Sequence, residues 1–130
     1  MKELKFRCWD NMSNYYFNPS SIDFEKSIVY ETRGYDHTNK TRLHRQHILG
    51  KTCELEQFIN LHDKNGKEIY EGDIVSDGQA QSNHCISGVH AVEIDNGGIY
   101  PFSEPGWEGT MNIDQTVIVG NIHENKELLK

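Results

Sequence analysis

Proline is scarce in this 130-residue chain, with only Pro19, Pro101 and Pro105, and cysteine is equally so, with Cys8, Cys53 and Cys85. An odd number of widely spaced cysteines is a poor disulfide framework for a secreted domain, so reduced, packed thiols are expected. Basic charge is also in deficit. Thirteen Lys and Arg against twenty Asp and Glu give a formal charge of -7, a field that argues against broad polyanion binding but leaves room for a local basic patch. There is no apolar run of the roughly 20 residues that a membrane-spanning helix needs. Near the start, Met1-Lys2-Glu3-Leu4-Lys5-Phe6-Arg7 interrupts its apolar residues with charge before a signal-peptide core can form, and the expected residence is the cytoplasm. Long helices are missing too, because Gly, Pro or Asn cuts every candidate apolar face before it covers three turns.

The chemical signatures of common enzymes are equally wanting. No Gly-x-Ser-x-Gly, His-Glu-x-x-His or phosphate-binding loop occurs, so no catalytic residue is assigned and the chain is not expected to be an enzyme. Asp63-x-Asn65-Gly66 begins like a calcium loop, but its later ligands are out of register,. His84, Cys85 and His90 have metal-ligating side chains, yet neighbours on a strand point apart and no second close cysteine pair exists,. Neither metal nor cofactor is expected.

What is present is turn chemistry between short extended runs. Hydrophobic residues make up 35% and aromatics 10% of the chain, enough for a globular core and too much for a disordered polymer. Leu4, Phe6 and Cys8 alternate with charged residues, and Asp10 to Asn14 turns that strand back into Tyr15-Tyr16-Phe17,. Asn18-Pro19-Ser20-Ser21 then breaks the run. The polar, cationic stretch from Gly34 to Gly50 is expected to be an exposed loop, with at most a helical turn at residues 43–48. Further on, Asp63-Lys64-Asn65-Gly66, Glu71-Gly72-Asp73 and Asp95-Asn96-Gly97-Gly98 are hairpin sequences that separate short strands, of which Thr116-Val117-Ile118-Val119 is the clearest late example,. These features predict a mainly β protein: one domain over 1–130, in which 53–130 curls into a small antiparallel barrel of the SH3 type, and 1–52 adds an N-terminal hairpin and a long irregular excursion.

The block Asp63-Lys64-Asn65-Gly66-Lys67-Glu68-Ile69-Tyr70-Glu71-Gly72-Asp73-Ile74-Val75 resembles the YopX family of phage and prophage proteins. Two flanking blocks agree with it: Leu4-Lys5-Phe6-Arg7-Cys8-Trp9-Asp10, and Val117-Ile118-Val119-Gly120-Asn121-Ile122-His123-Glu124-Asn125 followed by Glu127-Leu128-Leu129. The resemblance implies a mostly β fold with an SH3-like barrel and a phage-derived protein inside a bacterial host cell, and it brings no reaction or substrate with it. Cys8, His123 and Lys126 stand where the family commonly has alanine, tyrosine and proline, changes that fit packing and tail variation.

Two classes of partner follow from the residues. Short edge-capable strands and large aromatics in punctuated loops point to protein binding or self-association, with Tyr16, Phe102 and Trp107 as contact residues. The alternative is nucleic acid held by the basic segment 33–51, through Arg33, Lys40, Arg42, Arg45 and Lys51, with histidines and tyrosines available for stacking.

Overall fold

Turns rich in glycine and asparagine divide the chain into short strands in the computed structural model, which describes residues 3–35, 37–40, 42–76, 88–95, 98–102 and 113–129. The strands are β1 (Phe6–Asp10), β2 (Tyr15–Phe17), β3 (Ser21–Asp23), β4 (Ile28–Tyr35), β5 (Arg42–Ile48) and β6 (Cys53–His62). They continue with β7 (Glu68–Tyr70), β8 (Asp73–Ser76), β9 (Val89–Ala91), β10 (Glu93–Asp95), β11 (Gly98–Tyr100) and β12 (Val117–Asn121). The only helical pieces among the described residues are 3-10 turns at Ile113–Gln115 and Lys126–Leu129. The fold is all-β, as expected. One sheet has the order β2-β1-β6-β7, and the others are β3-β4-β5, β12-β8-β9 and the β10-β11 hairpin. A closed SH3-like ring is not among the sheets that these strands form.

The chain divides into two compact units, Leu4–Gln57 and a second made of Met1–Glu3 with Phe58–Lys130. Within Leu4–Gln57 the expected hairpin is present: β1 pairs with β2 through Cys8↔Phe17, Trp9↔Tyr16 and Asp10↔Tyr15. Asp10 caps the turn by accepting the N–H of Met12 at 2.8 Å and of Ser13 at 3.1 Å, and Asn14 takes the left-handed conformation, φ 57°, that an asparagine tolerates best after glycine. Strand alternation splits the aromatic run, so Tyr15 packs against the Cys8–Phe17–Val29–Cys53 core with Phe17 while Tyr16 lies on the opposite face. Leu4, expected to open the strand, precedes it and is exposed.

The irregular excursion is the reading that the fold corrects. Strands β3, β4 and β5 form an antiparallel sheet in which β4 pairs with β3 on one side and β5 on the other. The supposed loop and helical turn around Leu43 to Ile48 are strand β5. The physical reason lies in which side chains turn inward. On β5 these are Arg45 and His47, with His47 fully enclosed and stacked on Phe17 at 4.4 Å. A polar inward face hides the apolar alternation by which a strand is recognised.

In the second unit, the hairpin block is a frame of capped turns. Asp63 Oδ1 accepts the N–H groups of Asn65 and Lys67, each at 2.9 Å, and Oδ2 accepts that of Ile118 at 3.1 Å. One carboxylate thus fixes its own turn and the start of β12. Burial pushes this carboxyl up, but the N–H donors of Lys67, Ile118 and Asn65 and the Lys67 charge outweigh it and hold the pKa below its ordinary 3.8,. The next turn repeats the device, with Asp73 Oδ2 accepting the Tyr70 N–H at 2.8 Å and Gly72 at φ 90°, where a side chain is disfavoured. Gly120 has a different reason to lack a side chain: a Cβ there would fall 2.5 Å from Asn125 Oδ1, the atom that accepts the Asn121 N–H. Ile59, Ile69, Val75 and Val92 form the core of this unit, flanked by Leu61, Ile99, Phe102, Ile113 and Ile118. Strand β6 runs through the boundary, its first half pairing with β1 and its last part with β7.

Candidate functional site

The sheet β3-β4-β5 has two unlike faces. Its inner face carries Ile22, Val29, Glu31, Arg45 and His47, and two contacts there between a basic and an acidic side chain are buried or half-buried. Glu31 Oε1 meets His47 Nε2 at 2.9 Å, and the Tyr15 hydroxyl donates to the same carboxylate at 2.8 and 2.9 Å. Arg45 Nη1 stands 3.6 Å from Asp10 Oδ2, the one buried side-chain oxygen among the described residues that has no hydrogen-bond partner. Burial pushes the Asp10 carboxyl up, yet the Met12 and Ser13 N–H donors, with Arg45 and His47 nearby, bring it below 3.8,. Each inward base on β5 therefore meets an acid. A paired charge is the form in which a core tolerates one.

Cys8 and Cys53 lie fully buried in the same layer. Desolvation, then the charge of Cys53 and Glu56, pushes the Cys8 thiol up to about 12. Burial and the Asp10 charge likewise raise Cys53, although its hydrogen bond with Cys8 pulls the other way. Thiols so far from ionising are packing groups and not nucleophiles at neutral pH.

The outer face is different. Register places Ser21, Tyr30 and Gln46 in one cross-strand row and Thr32 with His44 in the next. Ser20, Ser21, Tyr30, His44 and Gln46 line an open groove of about 360 Å³. Beside it runs the free edge of β5, which pairs only with β4 among the described residues. The direction of its main-chain groups follows from the ladder. Leu49 donates to Ser27 O at 2.9 Å, so in an antiparallel pair Leu49, His47 and Arg45 bond toward β4, and Ile48, Gln46 and His44 point away. Ile48 agrees: its N–H goes to Thr52 Oγ1 at 2.8 Å, and its carbonyl accepts Thr52 N–H at 2.9 Å. That leaves the edge groups of His44 and Gln46, both exposed residues.

The residues singled out from sequence are scattered by this architecture. Tyr16 is half-buried, with its ring under the Arg7 guanidinium at 4.1 Å, edge-on to Trp9 at 4.9 Å, and its hydroxyl donating to Glu56 at 3.0 Å. Phe102 packs against the core of the second unit. Trp107 lies outside the described residues, as do His84 and Cys85. Of the basic segment, Lys40 and Lys51 are exposed and Arg45 is engaged by Asp10. Arg42 opens β5 and Arg33 lies in β4. Among the described residues no group of three His, Cys, Asp or Glu side chains is placed to hold a metal ion. No helix among them is long and apolar enough to cross a membrane. Sequence reasoning missed the His44–Gln46 edge, because the inward residues of β5, Arg45 and His47, are polar and leave no apolar alternation to mark the strand,.

A family model described as YopX protein matches residues 5–130 of the chain. The crystal structure of protein EF1440 from Enterococcus faecalis is similar in fold, with a TM-score of 0.63 over 100% of both chains at 23% sequence identity. No curated protein matches the chain.

Proposed function

The chain belongs to the YopX family of phage and prophage proteins, and from that premise we propose that it is a non-catalytic accessory protein that binds another protein chain. The observation that carries this reading is the β5 edge, where His44 and Gln46 present main-chain donors and acceptors beside an open groove. An extended segment that pairs there satisfies its own backbone while its alternate side chains lie on the outer face of the sheet, a common mode of peptide recognition. Natural edges are usually short, covered or charged because they invite such pairing. The neighbourhood of β5 is charged, which selects among partners without blocking the edge. Self-pairing of β5 with the same strand in a second copy would bring together two segments that between residues 37 and 53 carry basic residues and no Asp or Glu to pair them,, so a different partner segment is favoured over a β5-to-β5 dimer.

The test combines light scattering on the purified protein with affinity capture from extract of phage-infected host cells. A specific protein retained by the wild type and lost from a Gln46→Pro variant is the expected result. A monomer that retains no specific protein defeats the reading.

A further inference from the structure

Between residues 37 and 53 the chain contains no Asp or Glu, but has Lys40, Arg42, Arg45 and Lys51, in a protein whose total charge is -7. Arg45 is turned inward to Asp10. The exposed lysines Lys40 and Lys51 stand in sequence just before and just after β5. The groove on the outer face is lined by groups able to donate hydrogen bonds: the Ser21 hydroxyl, the Tyr30 phenol, the Gln46 amide and the His44 ring, with Ser20 already donating to Tyr30 O at 2.9 Å. His44 Nδ1 is 3.5 Å from Thr32 Oγ1, a contact made by one ring nitrogen only. Donors facing an open groove, beside a strand flanked in sequence by the exposed Lys40 and Lys51, fit a carboxylate,.

We propose that the segment docking on β5 is an extended acidic peptide of another protein, adding as a strand at His44 and Gln46 and placing an Asp or Glu side chain at the His44–Gln46 side of the groove. This rests on the protein-binding reading above and adds the chemistry of the partner. Two features favour a peptide over the other polyanion, a nucleic acid. The edge offers alternating N–H and C=O groups in strand geometry, which a peptide backbone answers and a phosphodiester backbone, having only acceptors along it, does not. The charge is also local and small in number, whereas nucleic-acid binding leans on many phosphate contacts. Here electrostatic attraction steers the encounter and main-chain bonds set the register.

The probe is a synthetic peptide alternating Thr and Glu, titrated into the isotope-labelled full chain and followed by amide shifts. The controls are its Thr–Lys counterpart and oligo(dT). The expected result is saturable binding of the Thr–Glu peptide, with the largest shifts at His44 and Gln46 and affinity falling as salt rises. The Thr–Lys peptide is expected to show no binding. Gln46→Pro removes the outward N–H, and Gln46→Glu at the same exposed position places a repelling charge without touching the backbone. Each is expected to weaken binding about tenfold or more. Equal binding of the Thr–Lys peptide, tighter binding of oligo(dT), or unchanged affinity in Gln46→Glu overturns the acidic-peptide assignment. If the Thr–Glu peptide fails while the wild type still captures a protein that Gln46→Pro does not, the chemistry assigned here is wrong and the protein-binding function survives.

Discussion

Single side chains in this protein hold turns more than they hold a site, and Asp63 shows it best. Its carboxylate receives three main-chain N–H groups, and hydrogen bonds to a charged acceptor contribute about 1.5–3 kcal/mol each before the cost of the groups left behind is counted. Asp63→Ala is expected to lower stability by roughly 2–4 kcal/mol, and Asp63→Asn by less, since the amide oxygen still accepts. Chemical denaturation at neutral pH measures both. Acid supplies a second reading of the same contacts. Asp63 and Asp10 each have a folded pKa below the ordinary 3.8, so the unfolded chain takes up protons first as pH falls. Their stabilisation is therefore present in full above that value and is lost below it, as pH falls toward the folded pKa values. Stability curves for Asp63→Ala and the wild type should run apart by a constant amount at neutral pH and begin to converge once the pH falls below about 4. A gap that stays constant as the pH falls well below about 4 would show that the carboxylate charge is not what stabilises the turn. The thiols make a kinetic prediction. With Cys8 pushed up to about 12 and both thiols buried, iodoacetamide should leave Cys8 and Cys53 unmodified in the folded protein and label both after denaturation, as read by peptide mass.

Strand β5 is where an element departs most from its sequence. The hairpin signals at Asp63 to Gly66 and at Glu71 to Asp73 were readable because their chemistry is local: an Asx side chain folds back on its own backbone and a glycine takes positive φ. Arg42 to Ile48 carries no such signal. Its inward residues are Arg45 and His47, and they are acceptable inside only because Asp10 from β1 and Glu31 from β4 meet them there. That information lies in the pairing of distant positions and is invisible in any window along the chain. The candidate edge was hidden for the same reason, while Tyr16 and Phe102, conspicuous as aromatics, turned out to have partners within their own units. The alternation itself can be tested with proline, which cannot donate to a ladder. At Gln46 the N–H points off the sheet, so Gln46→Pro should shift stability by no more than about 1 kcal/mol. At His47 the N–H points to β4, and His47→Pro should cost about 1–3 kcal/mol more than His47→Ala, which already accounts for the lost Glu31 pair. A reversed order, with Gln46→Pro the costlier of the two, would mean that the ladder runs in the other phase, and the docking edge would then have to be redrawn.

At the scale of the whole chain, the question is whether the two compact units behave as one cooperative domain. Strand β6 bears on this directly, since residues Cys53 to Gln57 pair with β1 while Phe58 and His62 pair with β7. Within the half that pairs with β7 the ladder is irregular between Phe58 and His62, where Asn60 takes φ 64° and its side chain binds the main chain of Glu3, accepting the N–H at 2.7 Å and donating to the carbonyl at 3.0 Å. A bulge of this kind bends a strand without ending it. Opening either half of β6 strips pairing from residues that continue without a linker into the other, so the structural units are expected to unfold together. Native-state hydrogen exchange gives the measurement. Amides of β1 and the first half of β6, and amides of β8 and β12, should reach the same limiting free energy and the same denaturant dependence. If the β8–β12 set instead exchanges through an opening that leaves β1 and the first half of β6 protected, the step from Gln57 to Phe58 is a boundary between two independently stable bodies. The single-domain reading of residues 1–130 would then give way to two.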